Sequence, residues 1–256
     1  DMIRELGEAR YTETLPRMAQ YEVTLLDWMK DNLGERRYAA FANKCWPAFQ
    51  QVFGFLPCYV HSRLAGQGIP VACETDVYGA LSEYIGLCIG QKPVTLMDIN
   101  NAIPDDIYQD IRQGGFPYRQ GELFMAFHCG NTSSGCLVNP KLKYKINRKN
   151  PYAPETGKEN NRGTLEGQMI SGKMTMFRLH SDPDGRLKAY VANGEILPAE
   201  VNTYGDYGIF AVKEMERFYR YVLVEQHFPH HAAILFENQA EAVFEVLRYL
   251  GITSIG

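Results

Sequence analysis

Two short apolar runs, each closed by an acid and separated by a helix-like stretch, constrain this chain more than any other feature. Ile69-Pro70-Val71-Ala72-Cys73 ends at Glu74, and Val94-Thr95-Leu96-Met97 ends at Asp98. Between them, Val77, Ala80, Leu81, Ile85 and Leu87 suit the buried face of a helix that Thr75 or Asp76 can cap and Gly90 can stop. Strand, helix and strand within about thirty residues predict a βαβ unit with parallel strands. Neighbouring strands lie about 4.8 Å apart, so Glu74 and Asp98 would emerge side by side at the carboxyl edge, where open α/β sheets bind ligands. Two carboxylates at such strand ends are costly unless paired or metal-bound, which makes a divalent ion the expected partner. The plain alternative is a pair of surface acids at helix N-termini.

The rest of the chain divides into two textures. Leu15, Met18, Ala19, Val23, Leu26, Met29 and Leu33 recur at helical spacing before Gly34. Residues 38–41 read as a short strand, 48–53 as a helical turn and 61–65 as a short helix. Further on, residues 123–127 form an apolar strand that runs into His128-Cys129-Gly130-Asn131, a small-residue loop suited to close approach of a ligand. Residues 139–163, rich in Lys, Asn, Pro and Gly, predict a long loop. Two alternating runs, 174–179 and 187–191, flank Asp182-Pro183-Asp184-Gly185 and predict a β-hairpin. Residues 208–212 and 232–236 add strands, and Val243, Phe244, Leu247 and Leu250 mark a last helix that stops at Gly251. The second half therefore reads as an antiparallel β domain closed by a helix, following an α/β first part.

At 256 residues with 45% hydrophobic side chains, the chain can bury one large core or two ordinary ones. Its net charge of -4, without basic blocks, argues against nucleic acid as the main partner and favours small molecules. No apolar run approaches the roughly 20 residues of a membrane span and no secretion signal stands out, so a cytoplasmic protein with no membrane partner is expected. The cysteines Cys45, Cys58, Cys73, Cys88, Cys129 and Cys136 include no C-x-x-C pair and read as buried thiols. G-x-G-x-x-G, P-loop and G-x-S-x-G motifs are lacking, which sets aside dinucleotide, nucleoside triphosphate and serine-hydrolase chemistry.

His227, His230 and His231 cluster at the entry to the 232–236 strand, a placement that suits a metal ligand. Two carboxylates and one imidazole, with room for water or substrate, fit Mn²⁺ or another divalent ion better than a closed structural zinc site. Asp76 reads as a helix cap only. His128 reads as a substrate contact or a structural group.

Five segments, taken in order, carry a resemblance: Lys44-Cys45-Trp46-Pro47, the stretch from Ala72-Cys73-Glu74-Thr75-Asp76 to Leu81, Met97-Asp98-Ile99, His128-Cys129-Gly130-Asn131 and Pro229-His230-His231-Ala232. They resemble the L-fucose isomerase branch of the L-fucose and L-arabinose isomerases. The resemblance implies a metal-dependent aldose–ketose isomerase that holds Mn²⁺ with Glu74, Asp98 and His231. It implies that Glu74 and Asp98 also act as acid and base on either side of an enediolate from an open-chain sugar, and that His230, Asn131, Lys44 and Trp46 contact that sugar. It further implies a remnant of a Rossmann-like α/β domain over residues 1–93 and an antiparallel β-barrel-like domain, closed by a helix, over 94–256. As a full-length protein the family member would be a homo-oligomer, trimer or hexamer. Its sites would be completed by a neighbouring subunit's first domain, so this C-terminal stretch could hold metal without turning over sugar. A sugar-binding or regulatory protein on the same scaffold is the alternative.

Overall fold

The computed structural model describes residues 1–6, 14–144, 162–201 and 203–255. Helices α1 (Met2–Leu6) and α2 (Leu15–Asn32) precede β1 (Phe41–Ala42), α3 (Ala48–Phe53), α4 (Cys58–Gly66), β2 (Val71–Ala72), α5 (Val77–Gly90) and β3 (Thr95–Ala102). Then come α6 (Asp105–Gln113), β4 (Leu123–His128), β5 (Leu137–Tyr144), β6 (Arg162–Met169), β7 (Gly172–Ser181), β8 (Leu187–Leu197) and β9 (Asp206–Ala211). A helical turn, α7 (Met215–Arg217), continues into a π-helix over Phe218–Glu225, and β10 (His231–Leu235), α8 (Ala240–Tyr249) and β11 (Thr253–Ile255) end the chain's described part.

Nine strands form one mixed sheet in the order β11-β8-β7-β10-β3-β4-β9-β6-β5, while β1 and β2 make a separate parallel pair. Strand β8 also pairs with β9, so the ladder β8-β7-β10-β3-β4-β9 returns to its starting strand. The expected βαβ unit is corrected here. Strands β2 and β3 lie in different sheets, and β3 runs antiparallel to both of its neighbours, β10 and β4. Among the described residues, β2 pairs through its backbone with β1 alone. The eight-residue β3 is buried on both faces instead: Met97 and Ile99 enter the largest core while Leu96 packs on Ala72 and Ala80. Two full ladders suit such a strand better than one edge of a small parallel sheet.

Strand β10 shows the layering that positions the site. Ala232 and Ile234 face the core built from Phe124, Phe210, Met97 and Ile196, whereas Ala233 and Leu235 face Ile85 of α5 and Val243 and Leu247 of α8. Alternation along a strand produces this split, and it puts His231 on the α5 side. The β7/β8 hairpin forms as expected, with Ser181 opposite Leu187 and Arg186 closing on Asp182. The long loop expected over 139–163 is corrected at both ends, where its residues belong to β5 and β6; residues 145–161 lie outside the described residues. Helix α6 and the 215–225 helical segment carry no sequence expectation, although Ile107, Tyr108 and Ile111 of α6 recur at helical spacing and pack on one core cluster. Cys88 is exposed and Cys129 half-buried, so the buried-thiol expectation holds for the other four cysteines. Among the described residues no helix is long and apolar enough to cross a membrane.

Candidate functional site

Asp98 and His231 face each other directly across the β3/β10 ladder. The backbone N–H of Ile99 donates to His230 O at 2.8 Å, which ties the two strands together at that point. Sheet register therefore delivers two of the three expected ligands without any loop. Glu74 arrives by another route, from the turn after β2. There Glu74 and Thr75 both have φ near +61°, the left-handed region that β-branched and long side chains rarely adopt. The turn is held by Asn43, whose carbonyl accepts from the Thr75 N–H at 3.1 Å and whose amide reaches Tyr21 and His61 at 2.9 Å. Cys45 adds a sulfur that takes hydrogen bonds from Cys73 and from the Glu74 N–H, which draw its thiol down to about 6 against the effect of burial.

His231 sits at the centre of this arrangement. Its Nδ1 lies 2.8 Å from Asp76 Oδ2, and its Nε2 lies 3.0 Å from Asp98 Oδ1 and 3.6 Å from Glu74 Oε2. His230 Nε2 approaches Asp98 Oδ1 at 3.4 Å from the solvent side. Two overlapping groups, Glu74 with His128 and His231, and Asp98 with His230 and His231, each bring their donor atoms within 4.8 Å of one another.

The close approach of His231 Nε2 to Asp98 Oδ1 is an ion pair when the ring is protonated, but it lacks the angles of a hydrogen bond. Both atoms are buried, and among the described residues neither has a hydrogen-bond partner. In the ring's neutral form, with the Nδ1 proton held by Asp76, Nε2 presents a lone pair 3.0 Å from the Asp98 oxygen, and one cation could accept from both. Ligand atoms about 2.1 Å from one ion at right angles to each other stand about 3.0 Å apart, so this spacing fits a divalent cation with room for more oxygen ligands. An oxygen-rich set with one imidazole fits Mn²⁺ or Mg²⁺ chemistry.

Asp76 is more than the helix cap that the sequence suggests. It accepts the Gly79 N–H at 2.8 Å as the N-cap of α5, binds Arg178 through both oxygens at 2.5 and 2.7 Å, and holds His231 Nδ1. A Cβ on Gly79 would sit 2.5 Å from Asp76 Oδ2, so only glycine lets the carboxylate turn back under the helix. Burial works to raise the Asp76 carboxyl, but its bonds to His231 and Arg178 hold it well below the usual carboxylate range. Burial likewise opposes the shifts of the facing pair. The contact with His231 keeps Asp98 low, and the Asp76 and Asp98 carboxylates push His231 up to about 9. A carboxylate behind the Nδ1 of a ligating histidine fixes the ring orientation and leaves Nε2 facing the ion. The sequence does hold a trace of this: Arg178 has the same strand parity as the buried Met174 and Met176, and a cation at that parity requires an acid.

The other expected contacts are distributed unevenly. Lys44, exposed, and Trp46, half-buried, follow Asn43 beside the Glu74 turn. Asn131 is buried, with its Oδ1 unpartnered among the described residues. His227 belongs to none of the donor groups. His128, left open by the sequence, stands beside His231 with ring centroids 5.8 Å apart.

Comparison with known proteins adds a family. The model of the L-fucose isomerase C-terminal domain matches residues 126–256. Similar proteins include the sulfoquinovose isomerase of Priestia aryabhattai, 24% identical over 253 residues that cover 96% of this chain and 49% of the relative. The sulfoquinovose isomerase of Alkalicoccus urumqiensis is 25% identical over 93% of this chain and 48% of its own length, and that of Clostridium sp. (strain MSTE9) is 28% identical over 62% and 30%. The chain spans about half the length of the curated relatives it matches in full. The match over residues 126–256 covers more than half of the sequence, and the chain belongs to the L-fucose isomerase family, through that family's C-terminal domain.

Proposed function

We propose that this chain is the C-terminal part of a metal-dependent aldose–ketose isomerase. The observation that carries the reading is the buried pair Asp98 Oδ1 and His231 Nε2, 3.0 Å apart, each without a hydrogen bond among the described residues, with Glu74 3.6 Å away. Glu74, Asp98 and His231 are the residues that would hold Mn²⁺ or a similar ion. When bound, the ion would supply a Lewis acid to neighbouring oxygens of an open-chain sugar and stabilise the enediolate. Asp76 and Arg178 keep the His231 ring turned to the site. Asp98, four-fifths shielded, and Glu74, half-exposed on its turn, are the two carboxylates able to take a proton from one sugar carbon and return it to the next. His230, Asn131, Lys44 and Trp46 are assigned as sugar contacts, on the family resemblance and on their nearness in sequence to the motifs that carry it.

The same reading assigns residues 1–93 to the remnant of a Rossmann-like domain and 94–256 to a barrel-like domain, which the circuit of pairings through β8 and β9 supports. It takes the full-length protein as a cytoplasmic homo-oligomer. The names of the relatives make sulfoquinovose the first sugar to try, and the family name makes L-fucose the second. The test is incubation of the full-length protein with Mn²⁺ and a panel of aldoses containing both, with ketose formation followed by proton NMR. A ketose from at least one sugar is the expected result. Metal and sugar binding without any ketose would favour a sugar-binding protein on the same scaffold and overturn the isomerase.

A further inference from the structure

His128 is 2% exposed, and its two ring nitrogens have different fates. Nδ1 accepts a hydrogen bond from the Cys129 backbone N–H at 2.9 Å. A ring nitrogen that accepts carries no proton, so in the neutral ring the proton is on Nε2. That Nε2 is buried and unpartnered among the described residues, and the ring has a nitrogen within 4.8 Å of donor atoms of both Glu74 and His231. The backbone that fixes this choice is itself confined. A Cβ on Gly205, whose φ is +80°, would fall 2.0 Å from His128 O, so the β9 entry packs directly on the His128 carbonyl. Across the ladder His128 pairs with Asp206, whose Oδ2 is taken by the Thr132 N–H at 2.7 Å.

We infer that His128 is a hydrogen-bond donor to a substrate oxygen, and not a fourth metal ligand. This rests on the isomerase reading for the identity of the substrate, and on the ring's own hydrogen bonding for its role. To ligate through Nε2 while Nδ1 accepts, the ring would have to become an imidazolate, which neutral water does not supply. A buried N–H without an acceptor is destabilising unless something else fills the place. An oxygen of an open-chain sugar, lodged between Glu74 and His231, satisfies it. As that oxygen gains negative charge during proton transfer, a fixed neutral donor strengthens its hold, as oxyanion donors do. The site thus separates two tasks between its buried histidines: His231 offers a lone pair and His128 offers a proton.

Three measurements on the full-length protein test this. In metal-free, ¹⁵N-histidine-labelled protein at pH 7.5, the His128 signals, identified by their loss in His128→Gln, should show Nε2 protonated and Nδ1 bare. An Nδ1-protonated ring overturns the inference. Mn²⁺ content, by elemental analysis, should stay within twofold of wild type in both His128→Gln and His128→Ala, and loss of the metal would make His128 a ligand. On whichever aldose the wild type isomerises, kcat/KM should fall about 100-fold in His128→Ala, with His128→Gln recovering at least tenfold because its amide can donate. Turnover within threefold of wild type in His128→Ala overturns the assignment. If the wild type isomerises no aldose, the isomerase reading fails on its own, and His128 is judged by calorimetric binding of the matching alditols to Mn²⁺-loaded protein. Binding tenfold weaker in His128→Ala supports the donor role, while equal binding, or none even to wild type, overturns it.

Discussion

The two carboxylates of the site are held in opposite ways. Asp98 is set in the middle of a nine-stranded sheet, opposite His231 in register, with β4 on its other side. Glu74 hangs from a two-stranded sheet on a turn of two successive left-handed residues, and more than half of its side chain meets solvent. Register in a sheet with buried faces is strongly specified, because a one-residue slip would reverse every side chain. A turn held by Asn43 and Cys45 has no such constraint. On the proposed isomerase reading, the contrast predicts that the sheet half governs metal affinity and the turn half the part of the reaction in which a carboxylate must adjust to the substrate.

Substitutions that separate affinity from turnover test this contrast most severely. His231→Ala should empty the site, with Mn²⁺ content near zero by elemental analysis, while His230→Ala keeps most of it, since only His231 has Asp76 behind its ring. The reverse ranking would break the assignment of roles. Glu74→Gln should abolish isomerisation, a loss of about 10⁴-fold for a proton-transfer group, yet retain weakened metal binding through Asp98 and His231. Complete loss of metal in that variant would show the turn to be as much a part of the affinity as the sheet.

Asp76→Asn acts on the sheet half from behind and should be intermediate. Metal affinity is expected to fall about 10- to 100-fold by calorimetry, as for other carboxylates behind a ligating histidine. The substitution also strips Arg178, 3% exposed, of its partner, and breaking such a buried pair costs about 3–5 kcal/mol in chemical denaturation. Arg178→Met in the same background should return part of that stability without returning metal affinity. This distinguishes the pair's structural contribution from its hold on the ring.

That Glu74, Asp98 and His231 would meet was more legible than the architecture that brings them together. Glu74 and Asp98 stand out because each ends an apolar run, and His231 belongs to a histidine cluster that opens one and was singled out by the family resemblance; those patterns survive whichever sheet each run joins. The pairing did not follow, since βαβ spacing says only that two strands flank a helix, while the partners of β3 come from residues 123–128 and 231–235. The hairpin of β7 and β8 was visible because its turn residues and its alternation are adjacent in sequence. Asp76 was half legible: its cap is local, three residues from Gly79, but its bonds to Arg178 and His231 span 102 and 155 residues. The role of His128 depends on a single backbone N–H, which no residue pattern encodes.

A buried acid between the two halves offers a smaller, pH-resolved effect. Glu83, on α5, is 2% exposed, and burial, reinforced by Asp76, pushes its carboxyl up to about 8, while the Leu96 backbone, His231 and Arg178 act in the other direction. The folded chain keeps this proton to about pH 8, whereas the unfolded chain releases it near 4.5. Between those values the folded state binds more protons, so this group makes stability fall as pH rises across the window. Glu83→Gln should remove that slope. Its melting temperature should match wild type below pH 4.5 and exceed it by roughly 10 °C at pH 8.5. Equal pH profiles in the two proteins would mean that Glu83 is ionised in the fold.

The smallest effect concerns the turn itself. Thr75 is β-branched and exposed at φ +61°, a conformation that costs a non-glycine residue about 1–2 kcal/mol. Glycine relieves that strain but gives the unfolded chain more freedom, worth about 0.4–1 kcal/mol in the other direction. Thr75→Gly should therefore stabilise the protein slightly, by about 0.5–1 kcal/mol on these figures, in a denaturant titration. Turnover should fall at the same time, because a glycine lets the Glu74 carboxylate wander from its 3.6 Å approach to His231. Opposite signs in stability and turnover would show that the turn holds Glu74 by strain, as functional loops do. If both fell together, the left-handed pair would be a relaxed part of the scaffold, and the contrast between a fixed sheet half and an adjustable turn half would lose its physical basis.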